Sequence, residues 1–383
     1  MKKNDVIIVG AGIFGLTVAE KVANELHKKV LVVEKRDHIG GNAYSEKDKE
    51  TGIECHKYGA HIFHTSDEEV WKYVNRFSEF TNYQHRVYSV HHGEVFPLPI
   101  NLGTINQFFH TNYSPEEARR LVAEQAREIT KKPANLQEQG ISLIGRPLFE
   151  AFIMNYTAKQ WQTPTEKLSP DIIKRLPVRY DYNNRYFNDT FEGLPKDGYG
   201  LFFQKMCESA KNDLDIRLGK DYFEDEELKK MTKDGMLTIF TGAIDRYFNY
   251  KFGTLNWRSI KFEKEVVKTD DFQGCAVMNY ADLEQPFTRI IEFKHFHPER
   301  KNRENKTVIF REFSKTWEIG DEPYYPVRTT EDLEKLGKYK ELSKKYPNVL
   351  FGGRLGEYAY YDMDKTFRSA LDMFREKVVP FFN

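Results

Sequence analysis

Val6-Ile7-Ile8-Val9-Gly10-Ala11-Gly12-Ile13-Phe14-Gly15 decides the fold of this 383-residue chain. Four consecutive β-branched residues read as a parallel strand buried on both faces. The glycines that follow match GxGxxG, and the spacing predicts a helix over Leu16–Leu26 and a second strand, Lys29–Val33, ending at Glu34. Gly10 permits the tight turn, Gly12 lets backbone N–H groups approach a pyrophosphate, and Gly15 lets the helix lie close to the strand. Glu34, 19 residues beyond Gly15, stands where such a fold places the carboxylate that holds a ribose hydroxyl. The helix N-terminus then faces the phosphates with its partial positive charge. A glycine turn alone can hold nothing; strand, glycines, helix, strand and acid in that order predict a dinucleotide site. A second turn, Gly40-Gly41-Asn42, adds backbone amides, which favours FAD over a nicotinamide dinucleotide bound alone.

The same stretch begins a 14-residue uncharged run, Val6–Ala19, behind Met1-Lys2-Lys3-Asn4-Asp5. It mimics a signal peptide, but it is too short to span a bilayer, and its three glycines and Asp5 argue against a leader. Lys+Arg and Asp+Glu both number 58, which excludes a globally basic nucleic-acid binder while leaving a local patch open. Length alone predicts two or three domains. Cys55, Cys207 and Cys275 are odd in number and widely spaced, so no disulfide framework or zinc ribbon is readable and a reducing, cytoplasmic setting is expected. Aromatic content is the oddity: 29 Phe, 22 Tyr and 4 Trp, more tyrosines than a core readily satisfies.

Further along, Ser66-Asp67-Glu68-Glu69 and Ser114-Pro115-Glu116-Glu117 read as capping boxes. Arg86–His91 and Glu94–Leu98 read as a hairpin turning at His92-Gly93. The second box opens a helix carrying Ala118, Leu121, Val122, Gln125 and Ile129, and another helix is expected over about Leu143–Gln160. Beyond Leu237, alternation predicts strands over Gly274–Tyr280, Thr288–Phe296 and Thr307–Phe313. A last helix follows Asp364, with Phe367, Leu371, Phe374 and Val378 on one stripe.

Several strings together resemble the UDP-galactopyranose mutases: Gly59-Ala60-His61-Ile62-Phe63-His64-Thr65, Tyr156-Thr157-Ala158-Lys159-Gln160-Trp161, Ile173-Lys174-Arg175-Leu176-Pro177-Val178-Arg179, Pro286-Phe287-Thr288-Arg289-Ile290, Pro323-Tyr324-Tyr325-Pro326, and Gly353-Arg354-Leu355-Gly356 through Tyr360-Tyr361-Asp362-Met363-Asp364. The resemblance runs from about residue 5 to 380 and matches the short bacterial members in length. It implies an α/β fold: an FAD-binding Rossmann-like domain with an inserted helical domain and an antiparallel β-sheet domain. The expected division is 1–80, 191–245 and 336–383 for FAD, 81–99 and 246–335 for the β-sheet, and 100–190 for the helices with a mobile loop. Carried over by position, the resemblance gives Arg175 and Arg289 the diphosphate, Tyr156 and Trp161 the uridine side, and Tyr186, Tyr324 and Tyr360, with Asp362, the lining of the diphosphate and sugar region. His61 lies near the flavin, and Arg175, Arg289 and His61 are the expected catalytic set. Gly10, Gly12, Phe14, Gly15, Glu34, Lys35, Gly41, Asn42, His61, Arg354, Asp362 and Met363 are the expected FAD contacts. Trp257-Arg258 stands where members often have Tyr-Arg, so Arg258 is kept as a lesser substrate candidate.

The implied activity interconverts UDP-galactopyranose and UDP-galactofuranose, without net redox change but only with reduced flavin, supplying galactofuranose for cell-surface polysaccharide. Arginine forks suit phosphate oxygens, and tyrosines offer flat apolar faces with one donor each. No HExxH, GxSxG or readable triad is present. His61 with His64, or His295 with His297, offers no readable metal geometry, so no metal is expected. Glu312 and Asp362 could form a glycosidase-like pair, but hydrolysis would waste the substrate. The chemistry then falls to the cofactor: N5 of reduced flavin attacks the anomeric carbon, with UDP leaving and returning. The helix after Asp364 is expected to direct its N-terminus at the flavin. UDP-galactose is the expected small-molecule partner, with an external electron donor such as NAD(P)H. A homodimer is expected, and neither a nucleic-acid partner nor a membrane span. Two other readings share features of the chain, an amine-oxidase-like FAD oxidoreductase and a non-catalytic UDP-sugar binding module.

Overall fold

The computed structural model describes residues 4–173, 176–300 and 305–383. Its first strand, Val6–Val9, pairs in parallel with Val30–Val33 on one side and Leu237–Phe240 on the other. Leu214–Arg217 and Val349–Phe351 complete a five-stranded parallel sheet. Alternate side chains of the central strands feed two different cores. Val6, Ile8, Val30 and Val32 pack with the Ile13–Leu26 and Met363–Met373 helices, while Ile7, Val9, Leu31 and Val33 pack with Tyr222 and Leu228. Burial on both faces is why these strands lack polar alternation.

A seven-stranded sheet lies beside it, in the order Tyr325–Pro326, Trp257–Val267, Thr307–Thr316, Arg289–Glu292, Val277–Tyr280, Val87–His91, Glu94–Leu98. Every pairing is antiparallel except Val277–Tyr280 with Val87–His91. The expected hairpin at His92-Gly93 is present. Between Leu102 and Trp161 the chain is helical around a separate core that includes Ile105, Val122, Ile141 and Phe149. No helix among the described residues is long and apolar enough to cross a membrane.

Local expectations fail where the deciding partner is distant. The 68–74 helix is capped by Asp67, whose Oδ1 accepts from Glu69 N and Val70 N; Ser66 instead donates to Asp189 at 2.7 Å. The Ser114 capping box forms as expected, but its helix ends at Ala126, short of Ile129. The single helix expected over 143–160 is divided. Gly145, at φ +77°, ends Leu136–Ile144; Arg146–Phe149 restarts with a proline, a π turn spans Glu150–Met154, and Asn155–Trp161 follows. The strand expected through Phe296 stops at Glu292, and Phe293 and Phe296 both reach the core from a 3₁₀ turn instead. The edge of the last expected strand runs on to Thr316, and the long strand Trp257–Val267 carries too many charges to be read from alternation.

Candidate active site

One cleft of about 1730 Å³ runs from the carboxyl ends of the parallel strands to the seven-stranded sheet. Gly10, Glu34, Gly242 and Gly353 each follow a parallel strand and line it, the usual ligand position in such sheets. At this end the two glycine turns are sutured together. Gly40 N donates to Ala11 O at 2.7 Å, and a Cβ on Gly41, at φ +58°, would lie 2.9 Å from Gly12 Cα. The Glu34 carboxylate accepts from Ala11 N at 2.8 Å and Arg36 N at 2.9 Å. Lys35 and Arg36 reach across to Glu322, at 3.2 and 2.5 Å, and Arg36 also donates to Asn42 at 2.8 Å. The Ile13–Leu26 helix starts at Gly12 with no side-chain cap, so its first N–H groups are left for a ligand. Gly15 does not line the cleft. A Cβ there would sit 2.0 Å from Gly10 O, so its hydrogen is what lets helix and strand touch.

Further in, His61 binds Gly59 O through Nδ1 at 2.8 Å, which leaves Nε2 as the bare acceptor. Burial, with the nearby Arg354 charge, holds its pKa down to about 4. Arg354 lines the cleft and donates to the carbonyls of Pro323 and Tyr324, at 2.7 and 2.5 Å, fixing the tyrosine loop. Asp362 and Met363 open the last helix at the cleft wall, and no side chain caps that helix N-terminus. Asp362 opens onto the cleft, and partial desolvation by the cleft walls, with Asp364 and Asp189 close by, raises its carboxyl above the usual range despite the pull of His64. Phe14, Lys35 and Asn42 also line this part.

At the other end, Arg289 donates to the Tyr156 hydroxyl at 2.5 Å. Its Nε stands 3.4 Å from Glu312 but makes no hydrogen bond, so the fork keeps uncommitted donors. Register explains the neighbours: Arg289 pairs with Asn279 on one strand and Glu312 on the other. The Asn279 Oδ1 is buried without a partner and its residue lines the cleft. Burial works against the Arg289 charge, yet Glu312 and the tyrosines Tyr156, Tyr325 and Tyr186 hold its pKa well above the ordinary value. Trp161, Tyr186, Tyr324 and Tyr360 line the same cleft, and Tyr360 and Tyr186 are 61% and 45% exposed in it. Tyr325 stacks on Tyr360 at 6.0 Å, and Tyr186 meets His85 edge-on at 5.5 Å.

Two expected site residues stand apart. Arg175 lies outside the described residues. Arg258 is buried behind the wall, donating to Gln160 O, Thr316 Oγ1 and Ser314 Oγ at 3.2, 3.0 and 2.8 Å, and it does not reach the cleft. Asn279, His85, Tyr325 and Glu312 in its pairing role were missed: strand register sets Asn279 and Glu312 on either side of Arg289, while His85 and Tyr325 enter through ring contacts with Tyr186 and Tyr360. Glu312 lies beside Arg289 and Asp362 beside His64 and Asp364, each in its own charged surroundings. Among the described residues, His91, His92 and Asp282, and Asp271, Glu292 and His295, bring metal-ligand types together, but neither group lines the cleft. His64 is engaged by Asp189 at 2.7 Å and stacked on Phe187.

The family model for UDP-galactopyranose mutase matches residues 151–360, the segment that supplies Tyr156, Arg289, Tyr324 and Tyr360. A probable UDP-galactopyranose mutase of Klebsiella pneumoniae is 40% identical over 97% of this chain and 94% of its own length. The chain belongs to the UDP-galactopyranose mutase family. Within that family's reach lies also a dTDP-fucopyranose mutase of Escherichia coli, 38% identical over 96% of this chain and 97% of that protein. The family fold is matched by a crystal structure of reduced UDP-galactopyranose mutase, with a TM-score of 0.75 at 16% identity over all of this chain and 95% of that one. Residues 8–77 match the NAD(P)-binding Rossmann-like domain, in agreement with the glycine turns and Glu34.

Proposed function

We propose that the protein interconverts UDP-galactopyranose and UDP-galactofuranose on FAD held in its reduced form. The observation that carries this is the continuity of one cleft between an uncapped glycine cradle and an arginine fork with uncommitted donors. The cradle fits FAD: Gly10, Gly12, Gly41 and the bare helix N-terminus suit a pyrophosphate, Glu34 a ribose, and Lys35 and Asn42 flank them. Phe14, His61, Arg354, Asp362 and Met363 would border the flavin ring, in a domain built from 1–80, 191–245 and 336–383, with the substrate between 81–99, 246–335 and 100–190.

When bound, reduced flavin supplies a nucleophilic N5 to the anomeric carbon with no net redox change. The chain's own residues do the rest. Arg289, with Arg175, holds the diphosphate while the sugar–phosphate bond is open, so UDP stays within reach for its return. Tyr186, Tyr324 and Tyr360 offer hydroxyls to phosphate and sugar oxygens, and Tyr156 with Trp161 packs the nucleoside. His61, neutral at pH 7, presents its Nε2 lone pair as a proton acceptor. The uncapped N-terminus of Met363–Met373 would favour negative charge on a flavin held against it.

The E. coli relative supports a second reading, in which a dTDP-linked deoxysugar is the substrate. Three unpaired cysteines are in keeping with a cytoplasmic setting; an NAD(P)H-class donor, a homodimer and a role in cell-surface galactofuranose rest on family resemblance alone. The deciding assay incubates dithionite-reduced holoenzyme with UDP-galactofuranose or dTDP-fucofuranose and separates the products by chromatography. Pyranose from the UDP sugar in reduced but not oxidised protein is expected. Turnover of only the dTDP sugar would establish the second reading, and turnover only by oxidised protein with an electron acceptor would remove both.

A further inference from the structure

The nucleotide-side helix Asn155–Trp161 carries Lys159 as well as Tyr156 and Trp161. Its Nζ lies among four backbone carbonyls, those of Tyr280 at 2.6 Å, Asp282 at 2.7 Å, Gln285 at 3.0 Å and Phe287 at 3.2 Å. An ammonium has three donors and no acceptor, so four carbonyls within reach form a cage fully matched to it. Tyr280 ends the strand Val277–Tyr280, the other three belong to the turn between it and Arg289–Glu292, and the last precedes Arg289 by two residues. The turn is tied otherwise by Tyr280 N to Thr288 O at 2.9 Å, Ala281 N to Val90 O at 3.2 Å, and Thr288 N and Oγ1 to Glu312 O at 2.8 and 3.0 Å, bonds at its two ends that leave the Asp282–Phe287 stretch to Lys159. Asp282 is further held by His91 Nδ1 and His92 N, each at 2.7 Å. Helix and turn meet again at the hydrogen bond from Arg289 to Tyr156.

We infer that Lys159 is a positioning residue whose ammonium locks the nucleotide-binding helix to the turn that delivers Arg289, keeping the Tyr156 hydroxyl and the Arg289 fork set for the diphosphate. The inference rests on the proposed UDP-sugar reading and deepens it. Met in place of Lys159 fills similar space but offers nothing to the carbonyls, and a planar guanidinium cannot enter a four-carbonyl cage as a compact ammonium does. The charged groups facing Lys159 are Asp282 and Glu284 of the turn, with His91 and His92 of the neighbouring hairpin meeting Asp282 rather than the ammonium. Burial outweighs both carboxylates and lowers the Lys159 pKa to about 8. As pH rises through that value the lock is lost.

The test titrates oxidised holoenzyme with UDP-galactose between about pH 7 and about pH 8.5, where its diphosphate diester stays ionised and its uracil N3–H stays mostly protonated. Lys159→Met is expected to bind about tenfold more weakly at the lower pH, the worth of one charge-assisted hydrogen bond. Wild-type affinity should fall toward the variant's by the upper pH, while the variant's own profile stays flat. In turnover by reduced enzyme the loss should appear in KM with kcat nearly kept. Lys159→Ala should regain binding with ethylammonium chloride but not with tetramethylammonium chloride, which has no N–H to offer the carbonyls. Equal affinity of Lys159→Met and wild type, or a flat wild-type profile, overturns the lock. If the variants lose flavin or unfold, the wild-type profile alone decides. Wild type that fails to bind any UDP-sugar at either pH sinks the functional reading instead.

Discussion

Replacing Arg289 with Ala tests the substrate end directly. The guanidinium gives one N–H to Tyr156 and leaves Nε without a hydrogen bond 3.4 Å from Glu312. Two charge-assisted bonds from such a fork to a diphosphate are worth about 1.5–3 kcal/mol each. Truncation adds a second penalty, because Glu312, only 7% exposed, then faces the anion with its charge uncancelled. The sum is a loss of about 3 kcal/mol or more, roughly two orders of magnitude in the Kd for UDP. Calorimetric titration of oxidised holoenzyme with UDP measures it, with flavin absorbance showing that the cofactor is retained. Arg289→Ala combined with Glu312→Gln should recover about tenfold, since it removes the repulsion but not the missing fork. A loss below about threefold in the single variant would refute the assignment of Arg289 to the diphosphate.

Gly15→Ala and Gly41→Ala should fail differently. The first drives a Cβ to 2.0 Å from Gly10 O and lowers the melting temperature of the whole domain; the second, at φ +58° and 2.9 Å from Gly12 Cα, parts the two turns and is read as weakened flavin retention in a folded protein. Arg258→Ala removes three hydrogen bonds behind the cleft wall, so denaturant unfolding should show a loss of about 2–3 kcal/mol while UDP affinity changes little. Acid should destabilise the fold through its buried histidines. Burial lowers His61 to about 4 and His85 to about 3, with His56 also well below its ordinary value. Below about pH 6.5 the unfolded chain therefore takes up protons that the folded chain refuses. Their contribution is full above that pH and is lost as pH falls toward the folded values, so His85→Phe should flatten the urea-midpoint profile over that range.

The glycine motif was legible because everything it needs is local: a buried strand, a turn and a helix written without interruption from Val6 to Leu26. The substrate row was not, because Asn279, Arg289 and Glu312 meet only through strand register, and nothing in their flanks states that register. Resemblance picked out Arg289 without its two neighbours, and Arg258 because it sits beside a recognisable aromatic. Strand geometry turns that arginine toward Ser314, Thr316 and the end of the nucleotide-side helix instead. The choice between Ser66 and Asp67 as helix cap had the same character. Both can cap, and Asp189, more than a hundred residues on, claims the serine. Lys159 lay inside a quoted motif yet carried no visible role, since its four acceptors are the main chain of a distant strand end and turn.

The tyrosines of the cleft and the sparse carboxylates around Arg289 answer one physical need. A site that binds a diphosphate and keeps its cation buried between turnovers must stabilise that cation without crowding it with competing anions. Arg289 is given a single carboxylate, Glu312, and otherwise hydroxyls. Enclosure in the cleft wall raises the Tyr156 pKa to about 12, so this hydroxyl stays neutral at any physiological pH and never repels the ligand. Asp or Glu in those places would satisfy Arg289 better and bind the diphosphate worse. Glu312 already cancels Arg289 in formal charge, however, while the diphosphate of a nucleotide sugar brings about two negative charges. Neutrality of the loaded site therefore requires further cationic groups, which is an argument from charge alone for the second arginine, Arg175, that resemblance assigns to the same ligand.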